Sequence, residues 1–191
     1  SEMCGNGARV VGALRRFLLD EAGLVDQFAS LTILSQNGPV TVAEISPGIY
    51  RACFSSVSKI GTIPANGLPE HTLYSIGGEP HAVMVVDKLD LSAIKQTGAK
   101  FNSHRVNATF LVPSSSGTVA ALTHERGVDM PTLSCGTGAV SAALHFRNLQ
   151  SPNKALPTEV IVSMSGFQLK VEFVGSAANL LGPAEITRFI L

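Results

Sequence analysis

Two short segments of the chain carry a cysteine inside a glycine-rich motif and then continue into an apolar stretch. The first is CGNGA, beginning at Cys4, and the second is CGTGA, beginning at Cys135. Glycines one and three positions after the cysteine let a bound group approach the backbone closely, and the following apolar residues predict a helix. We therefore predict that each cysteine lies at the N-terminus of a buried helix.

A helix N-terminus favours both a bound anion and a thiolate. The first four N–H groups have no partner inside the helix, and the helix dipole places about half a positive charge there. We expect a carboxylate or phosphate on these amides, and we expect the same field to lower the pKa of the cysteine thiol. Two such loops facing each other would put two thiols on opposite sides of one bound carboxylate.

This arrangement suits the inversion of an amino-acid α-carbon without a cofactor or a metal. One group removes the proton from one face of the carbon, and a second group, already protonated, returns a proton to the other face. Backbone donors at the helix ends would stabilise the negative charge that develops on the carboxylate. A thiol and a thiolate can exchange these roles when the reaction runs in reverse.

Simpler interpretations of the cysteines stay open beside this one. A single buried cysteine is often only a small apolar core residue, and we assign that role to Cys53. For Cys4 and Cys135 the repeated glycines favour a function, and a disulfide between them is a third alternative, as an oxidised and inactive form. Neither loop has the arginine spacing of a cysteine phosphatase or matches a Walker or dinucleotide fingerprint.

Composition excludes several other classes of protein. The chain has 191 residues, 45% of them hydrophobic, and its 14 Lys and Arg balance its 14 Asp and Glu. With no block of like charge, we expect a small-molecule partner and neither nucleic acid nor a membrane surface. Three cysteines without a C-x-x-C pair favour a reducing compartment, the cytoplasm, over a disulfide framework or a zinc site. A homodimer is compatible with the sequence.

The elements around the two loops repeat as well, which indicates an internal duplication. Residues 31–45 and 160–174 each read as strand, glycine turn, strand. Further strands are predicted at 49–56, 81–86, 107–112, 118–123 and 184–190, and one further helix at 90–101 with Asp90 as its N-cap. Residues 68–80 read as a loop-rich passage. The predicted fold class is α+β, with two similar β-rich halves that pack face to face, each wrapped round a central buried helix.

The chain resembles the diaminopimelate epimerase family and its cofactor-independent relatives. The motifs are, in order, MCGNGAR, GEPHAV, VNATF, ERGV followed by TLSCGTGA, SGFQLKVE and LLGPAE. The resemblance implies a first half at residues 1–70, a second half at 71–175 and a final strand within 176–191 that returns to the first half. Family members carry an additional segment before the first cysteine, so we expect the first half to be incomplete and the chain to be a fragment or a shortened homologue.

The resemblance also implies a reaction and a role for individual residues. The reaction would be the epimerisation of LL- to meso-diaminopimelate, a step of lysine and cell-wall biosynthesis. Cys4 and Cys135 would be the acid and base, with His81 and Glu125 setting their protonation. The remaining implied substrate contacts are the loop backbone at Gly5, Asn6, Gly136 and Thr137, and, for the distal end of the substrate, Asn107, Glu125 and Arg126. Without the resemblance, His81 reads as a structural histidine and Glu125-Arg126 as a solvated pair.

Three departures from the family motifs affect the substrate rather than the thiols. Glu79 stands where the family has asparagine in Gly-Asn-Pro-His, so a carboxylate replaces an amide that contacts the distal end of the substrate. Asp129, Met130 and Pro131 replace the usual continuation of ERGV, and Val10 stands where a cysteine is common. Isomerisation of another carboxylate on the same fold, or a catalytically silent homologue, is therefore kept as an alternative.

Overall fold

The computed structural model describes residues 4–24, 30–64, 67–114, 117–150 and 155–186. Within these residues the chain forms helices α1 (Gly5–Glu21), α2 (Leu91–Ala99) and α3 (Gly136–Leu149), a short 3-10 turn at Asn102–His104, and strands β1 (Leu31–Ser35), β2 (Gly38–Ser46), β3 (Ile49–Phe54), β4 (Val57–Gly61), β5 (Thr72–Ile76), β6 (Glu79–Val85), β7 (Asn107–Pro113), β8 (Thr118–Glu125), β9 (Met130–Thr132), β10 (Glu159–Met164), β11 (Phe167–Val174) and β12 (Ala177–Pro183).

The strands form one hydrogen-bonded sheet that runs β1-β2-β3-β12-β11-β10-β8-β7-β6-β5-β4, with β9 beside β8. The β6–β7 and β8–β10 pairs are parallel, whereas the other pairs are antiparallel. Helices and a mostly antiparallel sheet coexist in one chain, so the predicted α+β class is confirmed.

The two repeated hairpins form as predicted from the sequence. Ser35 pairs with Gly38 across the β1–β2 turn, and Met164 pairs with Phe167 across the β10–β11 turn. Gly38 and Gly166 have φ angles of 112° and 88°, a region that glycine enters at little cost. Each turn therefore requires its glycine.

The strands of the two predicted halves are joined edge to edge in one sheet, and the junction includes β12, which lies in the segment expected to return to the first half. Strand β3 pairs with β12 from Ile49 opposite Pro183 to Phe54 opposite Ala178. Strand β4 falls inside the predicted first half, residues 1–70, yet it pairs with β5 at the far end of the sheet. The backbone ladder thus continues across the region where separate halves were expected to meet.

The two cysteine-led helices differ in burial, and the prediction that both are buried is wrong for α1. All of α3 from Gly136 to Phe146 is buried. Helix α1 exposes Val10, Val11 and Leu18 at 49%, 43% and 56%. The reason is coverage, because α1 packs mainly on β2 and β3, whereas α3 contacts strands from β5 to β12.

Several other element predictions are confirmed and two are wrong. Strands β3, β6, β7 and β8 lie where they were expected, and Asp90 caps α2 by accepting a hydrogen bond from the Ala93 N–H at 2.9 Å. Residues 68–80 are not merely a loop, since they contain β5, a turn at Gly77–Gly78 and the start of β6. Of the strand expected at 184–190, residues 184–186 are not in a strand and 187–190 lie outside the described residues.

The main core lies between α3 and the surrounding strands, and a smaller one lies beneath α2. Ala139, Val140 and Ala143 of α3 are fully buried in the main core. Ile94 of α2 packs with Phe101 and Phe110 in the smaller one. In the part of the chain that the structure describes, no helix is both long enough and apolar enough to cross a membrane.

Candidate active site

Both cysteines act as N-caps of their helices through sulfur. Cys4 Sγ accepts a hydrogen bond from the Gly7 N–H at 3.2 Å, and Cys135 Sγ accepts one from the Gly138 N–H at 3.4 Å. Each cysteine has an extended backbone, as an N-cap residue does. The predicted position of both thiols at helix N-termini is confirmed.

The N-termini of α1 and α3 meet at two glycines. A Cβ added to Gly136 would lie 3.0 Å from the Gly5 Cα and 2.9 Å from a Leu180 methyl group, so neither position has room for a side chain. The Asn6 side-chain amide donates to the Ser134 carbonyl at 2.8 Å, which ties the first turn of α1 to the residues before Cys135. Two positive helix ends are therefore held side by side, a favourable place for an anion.

The two thiols differ sharply in their surroundings. Cys4 is exposed and Cys135 is buried, and both are free cysteines. Burial, and to a smaller extent the charges of Glu125 and Cys4, raise the pKa of Cys135 to about 12, against the lowering effect of hydrogen bonds from Thr137 and the Gly138 N–H. The expectation that the helix N-terminus lowers the thiol pKa is therefore wrong for Cys135, because desolvation outweighs the hydrogen bonds. Cys135 keeps its proton at neutral pH.

His81 is connected to Cys135 through a threonine. Its Nε2 lies 2.9 Å from the Thr137 hydroxyl, which in turn lies 3.6 Å from Cys135 Sγ. Its Nδ1 lies 3.0 Å from the Thr109 hydroxyl, which lies 3.1 Å from the Thr123 hydroxyl. The result is a continuous row of polar groups from the thiol into the sheet.

The imidazole of His81 is neutral in this environment. The side chain is fully buried, and burial, together with the charge of Arg126, lowers the pKa of His81 to about 3. A neutral imidazole donates from one nitrogen and accepts at the other, which suits a position between two hydroxyl groups. Sequence reasoning identified His81 but missed Thr109 and Thr123, although two threonines within otherwise apolar strands were a usable signal.

A second polar cluster consists of Glu79, Asn107 and Arg126. Glu79 Oε1 accepts from Asn107 Nδ2 at 2.9 Å and from Arg126 Nη2 at 3.0 Å. Asn107 Oδ1 accepts from the Arg126 backbone N–H at 3.0 Å, and Arg126 Nη1 donates to the Arg105 carbonyl at 2.9 Å. The structure thus brings these three predicted substrate-contacting residues together, and they contact one another.

Glu125 ends β8, and the altered loop after it leads into β9. The Glu125 carboxylate accepts a hydrogen bond from the Thr132 hydroxyl, and its charge contributes to the raised pKa of Cys135. Asp129 has a φ of 57° and accepts from Asn102 Nδ2 at 2.6 Å, and Met130 is 50% exposed. Met130 and Pro131 belong to β9, which pairs with the end of β8.

The predicted site residues therefore form one connected region. The two helix ends carry Cys4, Gly5, Asn6, Cys135, Gly136 and Thr137. His81 connects to Cys135 through Thr137, and the charge of Glu125 acts on Cys135. Arg126 hydrogen-bonds Glu79 and Asn107, and its charge acts on His81. Among the residues that the structure describes, no group of three or more His, Cys, Asp or Glu side chains is placed to hold a metal ion.

Comparison with curated proteins finds relatives along nearly the whole chain. The chain is 31% identical to a diaminopimelate epimerase of Neisseria meningitidis over 95% of its length and 70% of the relative, and 30% identical to one of Methanothrix thermoacetophila over 96% and 68%. A diaminopimelate epimerase of Rhodococcus jostii is 31% identical over 96% of the chain and 65% of the relative. The chain thus spans about two thirds of the length of these relatives. No family model matches it.

Solved structures of related folds match the chain as well. A probable proline racemase from Agrobacterium radiobacter superposes with a TM-score of 0.61 over 100% of the chain and 68% of that structure, at 17% identity. A phenazine biosynthesis protein of the PhzF family from Bacillus anthracis superposes with a TM-score of 0.60 over 96% and 73%, at 12% identity. At these identities the likeness concerns the fold alone.

Proposed function

The chain belongs to the diaminopimelate epimerase family, and from this premise we propose that it inverts the α-carbon of a free amino acid, with Cys4 and Cys135 as acid and base. The observation that carries the proposal is the meeting of two cysteine-capped helix N-termini at Gly5 and Gly136. The reaction proposed for these groups uses no cofactor. Free thiols require a reducing compartment, which we expect to be the cytoplasm.

The paired helix ends would bind the α-carboxylate of the substrate. Backbone N–H groups in the first turns of α1 and α3 have no partner within their helices, and they would donate to the carboxylate oxygens. When the α-proton leaves, negative charge moves onto the same oxygens. The helix ends would hold that charge with donors that are already oriented, which lowers the barrier to proton removal.

The difference between the two thiols suggests their roles. Cys135 keeps its proton because its pKa is raised to about 12, so we assign it as the acid that donates to the α-carbon. Cys4 would accept the α-proton from the opposite face in the same direction. The C–H bond breaks toward Cys4 and a new C–H bond forms from Cys135, which leaves the two protonation states exchanged for the reverse reaction.

His81 and Glu125 would act as positioning residues for Cys135. The Thr137 hydroxyl lies between Cys135 and His81, so the orientation of the imidazole affects the hydrogen bond that the sulfur receives. The charge of Glu125 disfavours a thiolate at Cys135, so it would keep the acid protonated until the substrate is bound.

Diaminopimelate is the first substrate to test, because it is named in the relatives that the chain matches. A second candidate function is the racemisation of a different amino acid, and one observation favours it. Arg126 and Asn107, proposed contacts for the distal end of the substrate, are engaged by Glu79.

The experiment is proton NMR of the reduced protein with LL- and meso-diaminopimelate and a panel of other amino acids in D2O. We expect loss of an α-proton signal, and we expect Cys4→Ala and Cys135→Ala each to abolish it. Cys53→Ala is the matched control. Cys53 lies in β3, so its substitution should leave the exchange rate unchanged. A folded, reduced protein that exchanges the α-proton of no amino acid would contradict the proposal and favour a catalytically silent homologue.

A further inference from the structure

We propose that Glu79 makes the distal end of the binding site select a substrate side chain that ends in a cationic hydrogen-bond donor, such as a primary ammonium group, over one that ends in a carboxylate. This inference rests on the proposed function, because it names the substrate class for the same site. It starts from the buried carboxylate group of Glu79 and the groups around it.

One oxygen of Glu79 lacks a partner in a buried position. The residue is only 5% exposed, and its Oε1 receives hydrogen bonds from Asn107 and Arg126. Its Oε2 is buried and has no hydrogen-bond partner among the described residues. Buried carboxylate oxygens are rarely left in this state, since the loss of hydration is not compensated. A donor on a bound ligand would supply the missing hydrogen bond.

The groups that could bind a distal carboxylate are already engaged by protein oxygens. The Arg126 guanidinium donates to Glu79 and to the Arg105 carbonyl, and the Asn107 amide donates to Glu79. A substrate carboxylate would have to displace the carboxylate of Glu79 from both. Once displaced, the Glu79 carboxylate would be an unpaired negative charge in a buried position. This disfavours the binding of an anionic side chain.

The charges of the neighbouring side chains also favour a cationic group over an anionic one. Among the described residues, the Glu79 carboxylate pairs with the Arg126 guanidinium, and Glu125 adds a second carboxylate charge that acts on Cys135. An ammonium group would neutralise the excess negative charge, whereas a carboxylate would increase it. Charge-assisted hydrogen bonds of this kind are about twice as strong as neutral ones.

Glu79 lies on the same strand face as the histidine that connects to the buried thiol. Glu79 and His81 are two positions apart on β6, so they lie on the same face of the strand about 7 Å apart. His81 connects to Cys135 through Thr137. A substrate with its α-carbon beside the thiols would extend its side chain along this face toward Glu79.

The test compares amino acids with similar aliphatic chains that differ at the distal end. Rates of α-proton exchange in D2O are measured for L-lysine, L-norleucine, L-2-aminoadipate and LL-diaminopimelate, and binding of each is measured by titration calorimetry. We expect lysine to exceed norleucine and aminoadipate by at least about tenfold in kcat/KM, the scale of one charge-assisted hydrogen bond. Glu79→Gln should remove most of that preference. Glu172→Gln, at an exposed ion pair with Lys170, is the matched control.

The outcomes separate this inference from the proposed function. Faster exchange of aminoadipate than of lysine would overturn the selection by Glu79 and leave the epimerase proposal standing. Diaminopimelate carries both an ammonium and a carboxylate group at its distal end, so its exchange tests the epimerase proposal only. Binding of lysine that Glu79→Gln weakens, without exchange of any amino acid, would support the selection and overturn the proposed reaction. If the wild-type protein neither binds nor exchanges any of the four, the selection by Glu79 is overturned, and the epimerase proposal is decided by the wider panel of amino acids. Since the wild-type comparison decides alone, a variant that fails to fold does not remove the test.

Discussion

At the scale of single residues, the buried imidazole of His81 links the site to stability. Its pKa is lowered to about 3 from 6.5, so between these pH values the unfolded chain binds a proton that the folded chain does not. Stability therefore falls as the pH drops below about 6.5, by up to about 1.4 kcal/mol per pH unit from this group. We expect His81→Gln to remove that contribution.

The measurement for His81 is urea unfolding of the wild type and the variant between about pH 7 and pH 4. The difference between their free energies of unfolding should change with pH in favour of the variant as the pH falls. His145, whose pKa burial also lowers, is present in both proteins and cancels. His104→Gln, at an exposed position in the 3-10 turn, serves as the control. If the free energies of unfolding of the wild type and His81→Gln change with pH in parallel, the lowered pKa of His81 is contradicted.

Residue types predicted which groups meet in the site, but not their protonation. The glycine context singled out Cys4 and Cys135, and both cap helices as predicted. The raised pKa of Cys135 depends on its burial at the N-terminus of α3 and on the charge of Glu125, which lies at the end of β8. The residues next to Cys135 in the sequence do not reveal either effect, because both depend on how the surrounding strands pack in the fold.

At the scale of elements, the contact between α1 and α3 depends on the absence of side chains at Gly5 and Gly136. We expect Gly136→Ala to destabilise the fold by about 1–3 kcal/mol, the usual result of overpacking. The added Cβ would meet the Gly5 Cα at 3.0 Å and Leu180 at 2.9 Å. For a chain of this size the loss corresponds to a melting temperature lower by about 2–4 °C per kcal/mol.

Gly7→Ala is the matched control for that variant, because it adds the same atom to the first turn of the other helix. Its nearest neighbour is Cys4 Sγ at 3.3 Å, and alanine is the better helix former, so the net change should be small. Differential scanning calorimetry of the two variants checks the prediction. An equal effect at both positions would show that the close approach of the helices does not limit stability.

Elements were predictable where the pattern was local. The two hairpins and α3 follow from β-branched runs, glycine turns and an apolar stretch, and all three form. Strand β5 was missed because glycine and proline on both sides of it favoured a loop, and its partner β6 supplies the pairing that stabilises it. The exposure of α1 was missed because a helix sequence does not reveal how many strands cover it.

At the scale of the whole molecule, the continuous sheet ends in strand β1, which pairs only with β2 in the described part of the chain. Such an edge presents unpaired backbone groups to other molecules. Leu34 on β1 is 84% exposed, so the edge also carries an apolar side chain that favours self-association.

Leu34→Lys should therefore reduce concentration-dependent self-association of the protein, because a charge on an edge strand opposes pairing with a second copy. Val174→Lys is the matched control, since Val174 is 64% exposed but lies on β11, which has neighbouring strands on both sides. Light scattering across a concentration series measures the association of each variant. If the β1 edge causes the self-association, Leu34→Lys should decrease it more than Val174→Lys does. Equal decreases would show that exposed apolar area alone causes it. No association in the wild type over that series would show that the edge is already protected.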